Sequence, residues 1–131
     1  MPGQDHRPPR TFAAARYWGA GLGNLQYREG IVWTALTLAD RDHSGYTGND
    51  DADLINVVSV IDEGLVSIIF VEQTNGTVKI SWRTQNPDLD VSQVAMKFNG
   101  GGHKAAAGAD IPGNLSEIIN KVLNETDRIV K

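Results

Sequence analysis

The chain has 131 residues, a formal charge of −4 at neutral pH and no cysteine. That length supports one domain around a single core. The lack of cysteine excludes disulfides, thiolate metal sites and a cysteine nucleophile, and the acidic balance argues against a surface that tracks a long polyanion. Any nucleic-acid ligand would then be short or gripped locally, and the missing thiols suit a reducing, cytoplasmic setting.

Residues 1–10 hold Pro2, Pro8 and Pro9 among charged side chains with no apolar run, which predicts a disordered lead-in and neither a signal peptide nor a membrane span. Residues 11–30 are expected to form a short helix, fraying at Gly19, Gly21 and Gly23, and then a linker. From Ile31 to Leu38 nearly every residue is β-branched, aromatic or aliphatic, the pattern of a central strand covered on both faces. Asp40 to Asp51 mimics part of a calcium loop, with acids at its first, third and twelfth positions and glycine at its sixth. A strand precedes it and the loop stands alone, so a polar connection is expected, with a calcium-binding or structural interaction module as a rival reading. Leu54, Ile55, Val58 and Ile61 then repeat at helical spacing behind Asp50 or Asp51 as cap.

Asn75-Gly76 between two apolar runs signals a hairpin closed by a two-residue turn. That turn would pair Glu72 with Lys79, Val71 with Ile80 and Ile69 with Trp82. Ile69, Val71, Val78, Ile80 and Trp82 would share one face, leaving Ser81 and Arg83 on the more polar face with Lys79. Asp90, with Gln93 three residues on, predicts a capped helix whose stripe is Val91, Val94, Ala95 and Phe98; Asn114 with Glu117 predicts another, striped by Leu115, Ile118, Ile119, Val122 and Leu123. Together these elements predict a single α/β domain, a mixed β-sheet with flanking helices, over residues 31–131. Trp33 and Trp82 read as core, while Trp18, near glycines, is a candidate surface platform for a base.

The run from Phe98 to Gly108 contains Gly100-Gly101-Gly102-His103-Lys104 followed by small residues. Glycines let a ligand approach the backbone, so consecutive N–H groups could cradle a phosphate, helped by a helix start near His103 and by the side chains of His103 and Lys104. The plainer readings are a glycine hinge, a helix-capping histidine and a solvated lysine.

Gly100-Gly101-Gly102-His103-Lys104-x-Ala106-Ala107-Gly108, preceded by Asp90-Val91-Ser92 and by Ser81-x-Arg83 on a strand, resembles the C-terminal DHH-associated domain of DHH-type phosphoesterases. Within that superfamily it is most similar to the nanoRNases and pAp phosphatases, once described as exopolyphosphatase-related. The resemblance implies a division of labour in which an N-terminal lobe hydrolyses with its Asp-His-His motif and manganese, and this lobe binds a short oligoribonucleotide, pAp or a linear dinucleotide. It places the phosphate on Gly100, Gly101, Gly102 and His103, with Arg83, Ser81 and Lys104 beside them; the plain alternative for Arg83 is an exposed strand arginine paired with Glu72. Asp5-His6 and Asp42-His43 are the nearest approaches to an Asp-His-His triplet, so the chain is expected to be the substrate lobe, inert by itself. Asn99 stands where relatives commonly have a fourth glycine, and asparagine tolerates left-handed backbone. A tRNA-type binding module like the C-terminal domain of alanyl-tRNA synthetases is the other rival.

Overall fold

The computed structural model describes residues 11–131, so the expected lead-in lies outside them. In chain order the elements are α1 (Phe12–Gly23), β1 (Gln26–Arg28), β2 (Ile31–Leu36), α2 (Leu38–Ser44), α3 (Ile55–Val58), β3 (Val66–Glu72), β4 (Thr77–Arg83), α4 (Ser92–Met96), β5 (Gly101–His103), β6 (Ala106–Pro112) and α5 (Leu115–Val130). The six strands form one mixed sheet in the order β1-β2-β3-β4-β6-β5, with β2 and β3 parallel and every other pair antiparallel. This is the predicted α/β domain.

Each face of the sheet carries its own core. Ile68, Phe70, Ile80, Trp82, Ala107 and Ala109 pack against Val91, Val94 and Ala95 around α4 and against Ile118, Val122 and Leu123 of α5. On the opposite face, Val32, Leu36, Ile69 and Val71 pack against Ala14 and Tyr17 of α1 and against Leu54, Ile55 and Val58 at α3. This second core draws nothing from β4, β6 or β5. Strand β3 is therefore buried along both faces, whereas β4 alternates between buried and accessible residues. On this face α3 reaches as far as β4, and no described helix packs over β6 or β5.

Several local expectations change. Helix α1 continues through all three glycines because packing overrides propensity. At Gly21 a Cβ would lie 2.6 Å from Leu54 Cδ2, and the Gly21 carbonyl accepts the Thr34 hydroxyl at 2.7 Å. The expected linker contains β1, which pairs with β2 across Glu29-Gly30, both at positive φ (43° and 92°). The polar connection expected from Asp40 to Asp51 begins as a helix: α2 fills its first half, in place of the open loop a calcium site would need, and is held by a reciprocal cap in which Thr37 Oγ1 accepts the Asp40 N–H and Asp40 Oδ2 accepts the Thr37 N–H. The helix expected from Asp51 shortens to Ile55–Val58, since Ala52 and Asp53 take positive φ (52° and 63°). The Asp51 carboxylate still caps, accepting the N–H groups of Asp53 and Ile55 at 3.0 Å.

The hairpin register differs from expectation by one residue. Gln73 N donates to Thr77 O at 3.0 Å, and Phe70 pairs with Ile80, Ile68 with Trp82 and Glu72 with Val78. The Asn75 Oδ1 accepts both the N–H and the hydroxyl of Thr77, so only Gly76, at φ 81°, is left-handed and the loop has three residues. The slip brings Ile68 and Phe70 under Trp82 in place of Ile69 and Val71. It leaves Lys79, Ser81 and Arg83 together, because alternation along β4 does not depend on its partner's register.

Candidate functional site

The open side of β6 and β5, with the adjoining side of β4, is assembled by cross-strand pairing, since directly opposed residues of antiparallel strands project to the same side. Arg83 pairs with Ala106, and Ala106 with His103; Ser81 pairs with Gly108, and Gly108 with Gly101. The guanidinium-bearing and imidazole-bearing residues thus share one row, separated only by the small Ala106. Next along the strands, Lys79 pairs with Asp110. His103, Gly101, Lys79 and Asp110 are exposed and Arg83 and Ser81 half-buried.

The glycine run does not form the expected cradle. Gly101 to His103 is an extended outer strand with no helix beginning at His103, so successive amides alternate in direction instead of converging. The Gly100 N–H is already committed to the Ala95 carbonyl at 2.9 Å. Much of the run serves the fold. A Cβ on Gly100 would collide with the Gly108 carbonyl, and one on Gly102, at φ 147°, would lie 2.5 Å from the Ala106 oxygen and 2.6 Å from the Ala107 Cα. Gly101 differs: a Cβ there meets nothing within 4 Å. Its bareness is not required by any protein neighbour and leaves the row before Ser81 and Gly108 open. Asn99 takes the left-handed turn, φ 62°, that leads into the strand.

Arg83 does not pair with Glu72. Glu72 Oε1 accepts the Leu38 N–H at 2.9 Å, and the Arg83 guanidinium donates only to the adjacent Trp82 carbonyl at 3.3 Å, with no ion pair to another described residue. A forked cation on an open face suits an anion with several oxygens. Lys104 is turned elsewhere, its Nζ donating to the Pro87 carbonyl at 3.0 Å. Trp18 is not a surface platform; its Nε1 donates to the Ala52 carbonyl at 2.8 Å and its ring packs on the second core.

The hairpin joining β5 to β6 is latched from outside the sheet. Thr84 N donates to the Ala105 carbonyl and Val91 N to the Lys104 carbonyl, fixing the turn against the segment that enters α4. Asp90 holds that segment by accepting the N–H and hydroxyl of Ser92. The Ser92 hydroxyl, with further donors and the charge of Lys104, outweighs partial desolvation and keeps the Asp90 carboxyl below the usual range. A carboxyl lowered in the folded state stabilises above its unfolded pKa and loses that contribution as pH falls through the folded one. Denaturant titrations of the wild type and Asp90→Asn are therefore expected to separate at pH 7 and to converge toward pH 3.

A groove of about 310 Å³ continues the face beyond this row, lined by Lys79, Ser81, Asn99, Gly100, Gly108 and Asp110. Sequence reasoning placed Lys79 on the right face but did not single out Lys79 or Asp110. The readable signal was period-two alternation back from Arg83 along β4, matched by period-two alternation forward from Ala106. Lys79 also acts on Asp50, which desolvation disfavours as an anion, but hydrogen bonds from Tyr46 and Ala52 and the charge of Lys79 bring its carboxyl below the usual value.

Among the described residues no three His, Cys, Asp or Glu side chains come together as a metal centre requires, so these residues do not fit manganese. No described helix is long and apolar enough to cross a membrane. What the face offers is an arginine, an imidazole and a glycine-floored groove, which together can hold an anion and a flat group beside it.

Comparison with known proteins agrees with this architecture. The chain is 28% identical over 118 residues to a bifunctional oligoribonuclease and PAP phosphatase of Thermus thermophilus, covering 89% of this chain and 34% of that protein. It is 32% identical over 81 residues to the protein of the same description from Mycoplasma genitalium, covering 62% and 24%. The chain thus spans about a quarter to a third of the length of these curated relatives. An exopolyphosphatase-related protein from Bacteroides fragilis shares the fold with a TM-score of 0.78 at 22% identity, over 93% of this chain and 35% of that one. A pGpG-specific phosphodiesterase from Vibrio cholerae superposes with a TM-score of 0.58 at 15% identity, over 81% and 36%. The DHHA1 domain family matches residues 33–131, which include every strand but β1 and β2's first residues, and the chain belongs to that family.

Proposed function

We propose that this chain is the substrate-holding domain of a DHH-type phosphoesterase acting on short oligoribonucleotides, pAp or linear dinucleotides, and that it does not hydrolyse them by itself. The observation that carries this reading is the shared row of Arg83 and His103, which runs across β4, β6 and β5 on the face where no described helix packs over β6 or β5. A terminal phosphate seated there takes the guanidinium fork on one side and the imidazole on the other, with Gly101 and Ser81 flanking it. Holding the phosphate fixes the phosphoester in one orientation, which is this domain's share of catalysis. Its partners are then a nucleotide phosphate and the DHH lobe of the same enzyme.

Calorimetric titration with pAp and with a 5′-phosphorylated dinucleotide tests the reading. Losing one charged hydrogen bond costs about 1.5–3 kcal/mol, so Arg83→Ala and His103→Ala should each weaken binding about tenfold to a hundredfold. His103 is exposed, and Arg83, half-buried, makes a single 3.3 Å bond to the neighbouring Trp82 carbonyl, so the melting temperature should stay near that of the wild type. Unchanged affinity in both variants rejects the site. Negligible mononucleotide binding with steeply salt-dependent binding of long RNA would instead favour the tRNA-type module.

A further inference from the structure

The row of Arg83 and His103 lies where three strands stop. Arg83 is the last residue of β4, His103 the last of β5 and Ala106 the first of β6. Strand ends open more easily than strand middles, so two groups that meet one ligand from such ends need something beyond the ladder to keep them in step. One residue supplies it. Thr84, directly after Arg83, is buried, and its hydroxyl donates to the Leu65 carbonyl at 2.7 Å while accepting the Asn86 N–H at 3.1 Å. Leu65 is anchored in turn, its N–H donating to the Gly30 carbonyl at 2.7 Å just before β2. The Thr84 N–H meanwhile donates to the Ala105 carbonyl at 3.0 Å, which carries the β4–β6 ladder one step past Arg83 and Ala106 into the turn that follows His103. A single threonine thus joins the start of β3, the end of β4 and the turn between β5 and β6.

Resting on the phosphate reading above, we propose that Thr84 is the positioning residue of this site: its two hydroxyl bonds fix the separation of the Arg83 guanidinium from the His103 imidazole, so that both close on one phosphate. It does not touch the ligand, because burial and both hydroxyl bonds commit it to the interior. Valine at this position would neither donate nor accept, whereas serine would do both. Without the hydroxyl, the Leu65 carbonyl and the Asn86 N–H lose this partner, and the backbone at Thr84 is free to shift with Arg83 attached. Among the described residues the guanidinium is held only by its 3.3 Å bond to the adjacent Trp82 carbonyl, so its place follows the backbone. A shift of about an ångström in the row separates two groups that must reach the same phosphate oxygens, and it costs binding out of proportion to the stability lost.

Calorimetric titration with pAp, at a temperature where circular dichroism shows each variant folded, tests the assignment. Thr84→Val should bind about tenfold more weakly than the wild type, and Thr84→Ser within about twofold of it. Combination with His103→Ala is the deciding arm. In that background no second group remains to be kept in register, so adding Thr84→Val should weaken binding by less than about twofold. A Thr84→Val protein that binds as the wild type does, a Thr84→Ser protein as weak as Thr84→Val, or a full tenfold further loss in the His103→Ala background overturns the positioning role and leaves the phosphate reading standing. Arg83→Ala and His103→Ala proteins that both bind as the wild type does overturn the phosphate reading. Should Thr84→Val fail to fold, hydrogen exchange of the wild type decides. The amides of Thr84 and Asn86 should be protected about a hundredfold or more, and exchange at the rate of an unfolded chain overturns the proposal.

Discussion

Trp82→Ala is expected to lower stability by about 3–5 kcal/mol, the usual cost of truncating a large buried aromatic. The residue is fully buried at the middle of the first core, opposite Ile68 on β3 and Ala107 on β6. Its ring stacks on Phe98, centroids 6.4 Å apart at 17°, and its indole N–H donates to Thr126 Oγ1 at 3.1 Å. Thr126 in turn donates to the Val122 carbonyl at 2.7 Å, so the indole joins β4 to α5 through a buried polar link and to the loop after α4 through Phe98. Truncation removes volume, the stacking contact and one acceptor's partner together. At this chain length the loss corresponds to a melting temperature lower by about 10–18 °C. Trp82→Phe should recover part of it, keeping the aromatic volume without the indole donor. Calorimetric melting of the three proteins checks the order; a drop below 4 °C for the alanine variant would mean that the core relaxes around the missing ring. The same residue supports the site, since its carbonyl receives the Arg83 guanidinium.

The features of the fold that were legible in the sequence are those set by local rules. Asn114 and Glu117 cap α5 as their spacing predicts, with Glu117 N donating to Asn114 Oδ1 at 3.2 Å, and the apolar stripe of that helix buries Ile118, Val122 and Leu123. Arg83, Ser81 and Lys79 share a face because alternation along one strand is local. What was not legible depends on contacts distant in sequence or on side chains serving two roles. The left-handed two-residue turn was sought at Asn75-Gly76, yet it is found at Glu29-Gly30. Asn75 spends its side chain on Thr77, and Glu29 carries no compositional sign of positive φ. The Thr37-x-x-Asp40 spacing carried a cap signal for α2, but the segment was expected to be a polar connection. Gly21 looked like a helix breaker, and only the approach of Leu54 and Leu36 explains it. For the site, sequence joined Arg83 to His103 through resemblance, whereas the physical reason is that two strand pairings converge on Ala106. The cradle geometry failed because a glycine run serves a tight turn and an extended edge equally well, and composition does not separate the two.

The glycine run should divide sharply under substitution, with Gly102→Ala costing about 3 kcal/mol or more and Gly101→Ala costing almost no stability. At Gly102 the added Cβ would strike backbone atoms of Ala106 and Ala107, which cannot turn aside as a side-chain end can, and the residue sits at φ 147°, where L side chains are strained. Relief requires β5 to pull away from β6, and with it the latch of Lys104 and Ala105 onto the segment entering α4. At Gly101 the Cβ enters open space in front of Gly108, and alanine in an extended strand is if anything easier to order than glycine. That methyl group stands in the row proposed to hold the phosphate, so Gly101→Ala should bind pAp about tenfold more weakly at an unchanged melting temperature, and Gly101→Val more weakly still. Thermal melts paired with calorimetric titrations read both effects. Equal destabilisation at the two positions would show that the whole run is structural. A Gly101→Val variant that melts and binds like the wild type would show that no ligand comes near this strand, and the phosphate would have to sit on Arg83 from its β3 side.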